Sequence, residues 1–193
     1  EIVLEELADI WKQGKILLYV GRLGKEKSVD FLLRAFKLIH DKDPHANLVL
    51  VGDGPEKNSL QDLAERLNIE KNVYFTGLID SGTMNKVYAD AEIFVFASQT
   101  ETQGMVILEA LASGLPVVAV NDFVYGGVIK DEINGILVEP DLKKFAKACL
   151  GILSNSSYRE RLSGNASRSI QDFSLSQTAQ SLEKLYKSLF LKR

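Results

Sequence analysis

Two glutamates stand with seven residues between them in the stretch SQTETQGMVILEALASG, Glu101 in a loop of small polar residues and Glu109 inside an apolar run. An ionised carboxylate among Met105, Val106, Ile107, Leu108, Ala110 and Leu111 is costly unless hydrogen-bond donors meet it. Gly104 opens this segment as a helix, which leaves the N–H groups of Gly104, Met105 and Val106 free for an anion, with Glu101 just upstream at the loop tip. Glu109 falls about a turn and a half further on. A buried carboxylate placed behind a phosphate-binding helix start accepts hydrogen bonds from two adjacent hydroxyls, the arrangement a nucleotide ribose supplies. Pairing of Glu109 with a backbone group or a lysine is the structural alternative, and it leaves Glu101 and Gly104 without a role.

A second cluster precedes Ser28, which is placed to cap a helix. Arg22, Lys25 and Lys27 in GRLGKEKS bring cations to that helix start, Arg22 with a planar fork and Lys27 as a point charge, and this suits phosphate. A solvated basic loop has the same composition. The GDGP turn at 52–55 is no dinucleotide fingerprint, because Lys57 stands where G-x-G-x-x-G needs its third glycine. Pro55 suits the first turn of a helix, and Asp53 a solvated turn. Asp41 and Asp43 in HDKDP imitate a metal-binding D-x-D, yet they sit at a helix end before Pro44, and no metal is expected. His40 and His45 read as surface residues.

These residues need a scaffold, and the hydrophobic pattern describes one. Short runs rich in β-branched and aromatic residues recur as ILLYV (16–20), NLVLV (47–51), VYF (73–75), IFVF (93–96) and PVVAV (116–120), each a buried strand. Helical spacing fills the intervals: Val29, Leu32, Leu33, Phe36 and Ile39; Leu60, Leu63, Ala64 and Leu67; Met84, Val87 and Tyr88; then 104–113. After PVVAV an Asn134–Gly135 turn precedes a short strand in ILVEP, and helices follow at about 141–153, 156–171 and 175–190. Alternation of this kind predicts an α/β, Rossmann-like doubly wound parallel sheet. Ligands in such sheets bind beyond the carboxyl ends of the strands, which singles out five glycine-bearing loops at 21–28, 52–55, 76–80, 97–104 and 121–127.

Composition narrows the partners. With 193 residues, 46% hydrophobic and 25% charged, the chain is long enough for one substantial core. A net charge of -3 gives no basic field for nucleic acid or anionic lipid, so any anion site is local. One cysteine, Cys149 in an apolar helical stretch, excludes an internal disulfide and fits a reducing compartment. No apolar run reaches the ~18 residues of a membrane span. The chain starts at Glu1 in a helix-like stretch, as a domain cut from a longer protein would, although processing gives the same start.

Together the motifs resemble the retaining glycosyltransferases of family four, which have the GT-B fold of two Rossmann-like domains facing a cleft. The resemblance runs from about residue 15 to 190, through GRLGKEK, VGDGP, VYFTGLI, ETQGMVILE, EALASGLPVVAV and INGILVEP, in the order and spacing of that family's C-terminal domain. It implies that residues 1–193 are the donor-binding half, with 1–14 leading in and 175–193 a terminal helix that crosses toward an absent N-terminal acceptor domain. By the same resemblance Arg22 and Lys27 hold the donor diphosphate, with Glu26 shaping their loop beside Gly21. Gly104, Met105 and Val106 give backbone contacts, Glu101 takes sugar hydroxyls and Glu109 the ribose. Gly52 lines the next loop, and the base lies against Gly77 and Leu78.

Several positions depart from the family pattern. Gln103 stands where many members carry phenylalanine, Ala97 where proline is frequent, and the stretch after Gly126 and Gly127 lacks the usual acidic residue. The ETQG spelling is similar to that of members that glucosylate diacylglycerol. The implied activity is transfer of a hexose from a nucleotide-diphosphate sugar, with a UDP-sugar favoured, to a lipid or saccharide acceptor. No cofactor or metal is called for, and the implied location is cytoplasmic, with the membrane face open to peripheral contact. A sugar-nucleotide epimerase uses the same fold but needs carboxylates and histidines for proton transfer, and this half offers no such set. A nucleotide-binding module without chemistry describes the isolated half. The terminal helix, with Leu182, Leu185, Tyr186, Leu189 and Phe190 among Lys184, Lys187, Lys192 and Arg193, suits core packing, contact with the other half, or anionic lipid, in that order.

Overall fold

The computed structural model describes residues 14–101, 104–170, 173 and 175–190, so the leading helix-like stretch and Gln103 lie outside the described residues. Six parallel strands, β1 (Lys15–Val20), β2 (Ala46–Val51), β3 (Val73–Gly77), β4 (Ile93–Phe96), β5 (Val117–Val120) and β6 (Gly135–Val138), form one sheet in the order β3-β2-β1-β4-β5-β6. Every residue of β2, β4 and β5 is buried, which is why these strands read as continuous apolar runs and not as alternating ones.

The crossovers are α1 (Val29–His40), α2 (Lys57–Arg66), α3 (Ser81–Ala89) and α4 (Met105–Ala112), followed by α5 (Leu142–Leu153), α6 (Ser156–Ser169) and α7 (Leu175–Phe190). The positions with helical spacing in α1 are the ones it buries: Val29, Leu32, Leu33, Phe36 and Ile39. From β1 the chain winds outward through β2 to β3, then returns to pair β4 with the other side of β1 and winds on to β6. Right-handed crossovers therefore place α1 and α2 on one face and α4 on the other. Helix α5 packs on α1 and α6 on α4, so both faces are covered. The loops after β1 and β4 leave toward opposite faces, and the crevice between them is where the sheet reverses its winding.

Several expectations change. Asn134 ends the expected turn before β6, but it is no solvated turn residue: it is buried, accepts the Lys130 N–H (2.8 Å) and donates to the Val128 carbonyl (3.0 Å) and Ser169 Oγ (2.8 Å). Gly135 instead opens β6, where a Cβ would lie 2.5 Å from the Val117 carbonyl. Ser28 holds the N-cap position of α1 with φ 50°, and its side chain makes no cap bond. Pro55 precedes α2 instead of lying in its first turn, with Glu56 as the cap. His45 is at the surface, but His40 is half-buried against the Phe36 ring, with Nδ1 lacking a partner among the described residues. Asp43 binds Lys15 at 2.7 Å and Asp41 binds Lys37 at 2.5 Å. Cys149 is fully buried, and burial pushes its thiol up. In α7, Leu182 and Tyr186 are exposed (50% and 54%), so core packing does not account for them; the side chains of Leu185, Leu189 and Phe190, together with Lys192 and Arg193, lie outside the described residues.

Candidate functional site

The site begins where β1 meets the loop after β2. Leu23, fully buried, donates its N–H to the Asp53 carbonyl (2.9 Å) and accepts from the Glu56 N–H (3.0 Å), so the first two loops are laced together. Their backbones also cross at the strand ends: a Cβ on Gly52, whose φ is 134°, would lie 2.0 Å from the Gly21 carbonyl oxygen. Close approach of two backbone segments thus accounts for glycine at 52 without a ligand. Gly52 in turn donates to the Gly77 carbonyl at 2.8 Å, which brings in the end of β3.

This anchoring leaves the charged side chains of the first loop at its rim. Arg22 is exposed, 4.0 Å from the Glu26 carboxylate. The Lys27 ammonium is paired with the Glu101 carboxylate across the crevice, with side-chain exposures of 20% and 15%. The Glu26 carbonyl accepts from Ser98 Oγ (3.2 Å) and Thr100 Oγ1 (3.3 Å), so the loops after β1 and β4 are joined along their length. Behind them Tyr19 stacks on Phe96 at 5.9 Å and donates its hydroxyl to the Arg22 carbonyl at 3.0 Å. Burial, then the Glu101 charge, holds that phenol protonated far above its ordinary range.

On the other wall, Gly104 caps α4 with φ 59°. The first bonds inside the helix run from Ile107 (2.8 Å) and Leu108 (3.4 Å) to the Gly104 carbonyl. Among the described residues nothing accepts from the N–H groups of Gly104, Met105 or Val106, which is the orphan-donor arrangement that favours an anion. Val20, Gly21, Arg22, Lys27, Phe96, Glu101, Gly104, Met105 and Val106 line a cleft of about 330 Å³. Two larger hollows lie outside this cleft: one of about 360 Å³ between α1 and α2, which reaches the other side of the first loop at Gly24 and Lys25, and one of about 550 Å³ beside α2 and β3.

Seven of the residues singled out from the sequence, Gly21, Arg22, Lys27, Glu101, Gly104, Met105 and Val106, thus share one cleft. Glu26, Gly52, Gly77, Leu78 and Glu109 are not part of its lining. Leu78 is 83% exposed on the loop after β3, whose next helix is capped by Asp80 accepting from Gly82 and Thr83. Glu109 departs most from expectation, because it is exposed. Helix α4 buries Ile107, Ala110 and Leu111, and at 100° per residue position 109 points away from that face. Its donor is neither backbone nor lysine but the buried Tyr88, whose hydroxyl reaches Oε2 at 2.9 Å. Burial and then this carboxylate push the Tyr88 phenol up. Periodicity marks Tyr88 only as an apolar helix position, and it is blind to the hydroxyls of Tyr19, Tyr125, Ser98 and Thr100. A tyrosine at a strand end or in a glycine-bearing loop was the available signal. Gly126 and Gly127 are exposed, with nothing within 4 Å of a built Cβ.

Chemically, the cleft offers a guanidinium, an ammonium and free backbone donors to an anion, beside a carboxylate suited to hydroxyl groups. Known proteins share this arrangement of elements. A family model described as "Glycosyl transferases group 1" matches residues 8–169. An alpha-monoglucosyldiacylglycerol synthase of Acholeplasma laidlawii is 32% identical over 174 residues, covering 90% of this chain and 44% of that protein. A mutant of S. aureus TarM, solved with fondaparinux, alpha-GlcNAc-glycerol and UDP, superposes with a TM-score of 0.83 at 28% identity, over 91% of this chain and 35% of that one. The crystal structure of a C-terminal domain of a group 1 family glycosyl transferase from Francisella tularensis superposes at 0.75 with 26% identity, over 84% of this chain and 90% of that one. The chain therefore spans less than half the length of its longer relatives and nearly all of a solved C-terminal domain.

Proposed function

The chain belongs to the group 1 glycosyl transferases, and from that premise we propose that it binds a nucleotide-diphosphate sugar, a UDP-sugar in preference. The hexose passes with retention of configuration to a lipid or saccharide acceptor held by a second, N-terminal domain. The observation that carries this reading is the meeting of Arg22, Lys27, Glu101 and the α4 start in one cleft at the point where the sheet reverses its winding.

When the glycosidic bond to the nucleotide breaks, negative charge accumulates on the departing diphosphate. Arg22, Lys27 and the amides of Gly104, Met105 and Val106 are fixed donors for that charge, and preorganised donors are often the largest catalytic contribution. Lys27 and Glu101 neutralise one another across the cleft. A diphosphate that claims Lys27 releases Glu101 toward the sugar hydroxyls, so recognition of the two parts of the donor is coupled. Glu109, with one oxygen already satisfied by Tyr88, offers the other to the ribose. The exposed Leu78 segment lies open to the base. No protein nucleophile or metal is required from this half, and the site is cytoplasmic in this reading. Among the described residues no helix is long and apolar enough to cross a membrane. Approach to a lipid acceptor falls instead to α7, which carries the exposed Leu182 and Tyr186 beside Lys184 and Lys187.

Calorimetric titration with UDP, GDP and NAD, repeated on Arg22→Ala and Glu109→Ala, tests this. Binding of UDP that both substitutions weaken is the expected result. Binding of NAD in preference, or nucleotide binding indifferent to both changes, would sink it.

A further inference from the structure

The loop after β5 contributes nothing to the lining of the cleft, yet one of its side chains is built into the cleft's back wall. We propose that Tyr125 is a positioning residue for the donor site, holding the loop that carries Glu101 and the start of α4 in register with the sheet. This rests on the donor reading above for what is being positioned, and on contacts within the chain for the positioning itself.

Tyr125 sits in a short helical turn, Phe123–Gly127, whose start is fixed by the Asp122 carboxylate accepting the Val124 N–H at 3.0 Å. The turn points the ring inward, where it is 1% exposed and meets Phe96 edge to face at 6.0 Å. The hydroxyl donates to the carbonyl of Ser98 at 2.7 Å, three residues before Glu101. The ring also lies under the helix start: a Cβ on Gly104 would be 3.4 Å from Tyr125 Cε1. One side chain thereby touches both ends of the loop between β4 and α4.

The chain of contacts continues beyond that loop. Ser98 passes its own hydroxyl to the Glu26 carbonyl, so the loops after β5, β4 and β1 are linked in series by two hydrogen bonds. Phe96 is shared between Tyr125 and Tyr19, whose hydroxyl holds the Arg22 carbonyl. Burial, and after it the Glu101 charge, keeps both phenols protonated and so able to donate. Plain core filling would explain the ring, but not a hydroxyl aimed at a carbonyl of the loop that bears Glu101. A ligand contact would explain the hydroxyl, but the ring's burial rules that out.

The test is Tyr125→Phe in the 193-residue chain, which keeps the ring and deletes the donor. Amide hydrogen exchange and binding of UDP-glucose and UDP are compared with the parent and with Phe123→Ala, an exposed neighbour on the same turn. We expect faster exchange at the Thr100 amide, which faces Ser98 Oγ at 3.5 Å, and at the Ile107 and Leu108 amides, which bond to the Gly104 carbonyl, with strand amides unchanged, and UDP-glucose affinity lower by roughly two- to tenfold, the range of one lost hydrogen bond. UDP should lose less, because it lacks the sugar that Glu101 meets, and Phe123→Ala should match the parent. Unchanged exchange in that segment overturns the brace. Faster exchange with undiminished UDP-glucose affinity overturns the positioning role. If the parent binds neither ligand, the donor reading has failed, and the exchange comparison still decides whether Tyr125 braces the loop.

Discussion

At the amino edge of the sheet, Lys15 meets Asp43 at 2.7 Å and Glu92 accepts the Ile16 N–H at 2.5 Å. At the carboxyl edge, Lys27 meets Glu101 and Arg22 stands 4.0 Å from Glu26. The residue types are the same and the surroundings are not. The amino-edge carboxylates fasten β1 to what lies before β2 and β4, with strand backbone or a strand residue as the partner. The carboxyl-edge groups border a cleft beside unclaimed amides, where in the proposed reading a ligand takes the place of either partner. A charged pair is thus structural or functional according to what else is within reach of it, not according to its own geometry.

Substitutions at the two edges should separate accordingly. The largest effect belongs to Arg22→Ala and Lys27→Ala, each lowering transfer by the full-length enzyme on the order of 10²-fold or more; the melting temperature is essentially unmoved in Arg22→Ala, whose side chain is 68% exposed, and falls modestly in Lys27→Ala, which leaves Glu101 unpaired. Steady-state rates beside a thermal melt measure both; a large loss of stability would erase the contrast. Glu101→Gln should sharpen it from the other side. Releasing Lys27 lets UDP bind roughly two- to fivefold tighter, the span of a partly exposed ion pair, while the preference for UDP-sugar over UDP falls.

At the amino edge the expected effect is on stability alone. The Lys15 side chain is 37% exposed, so solvent screens its pair and Asp43→Asn should cost no more than about 1 kcal/mol, with nucleotide affinity unchanged. The hydrogen bond from Lys15 holds the Asp43 carboxyl below its ordinary range. Its contribution is therefore present above the ordinary aspartate pKa and lost as pH falls toward the depressed one, which urea unfolding of both proteins across the acid range will show. Glu92 has the opposite sign, because burial raises its pKa. Its favourable contribution is complete below the ordinary glutamate pKa and disappears as pH rises through the raised one. Glu92→Gln, which keeps an acceptor for Ile16, should accordingly be at least as stable as the parent at pH 7, with the advantage gone near pH ~4.

The carboxyl-edge cations were legible in the sequence because charge, glycine and a coming helix coincide within the eight residues of GRLGKEKS. The sheet was legible because runs such as IFVF and PVVAV are buried on both faces, a condition that leaves a continuous apolar signature. Neighbours across elements were not. Periodicity says that Tyr88 and Glu109 each occupy a helix, but not that α3 and α4 lie close enough for a phenol to reach a carboxylate. The expectation that Glu109 is buried failed for a related reason: an apolar run of eight residues in α4 still has two sides, and the sequence shows only the average. Tyr125 carried no periodic signal at all, since its turn belongs to a loop.

The pairing of β1 with β4 has a kinetic side. Leu17 is opposite Ile93, a separation of 76 residues from 93 minus 17, and the two walls of the cleft extend from these two strands. Closing so long a segment carries an entropic cost that only the assembled sheet recovers, so contacts of this range form late relative to local helices. The cleft is then absent from partly folded chains, and a nucleotide that needs both walls binds the native state alone. Its whole affinity should appear as resistance to unfolding, about 2.7 kcal/mol at a hundredfold excess over Kd, which makes a thermal shift with nucleotide a readout of completed folding as much as of recognition.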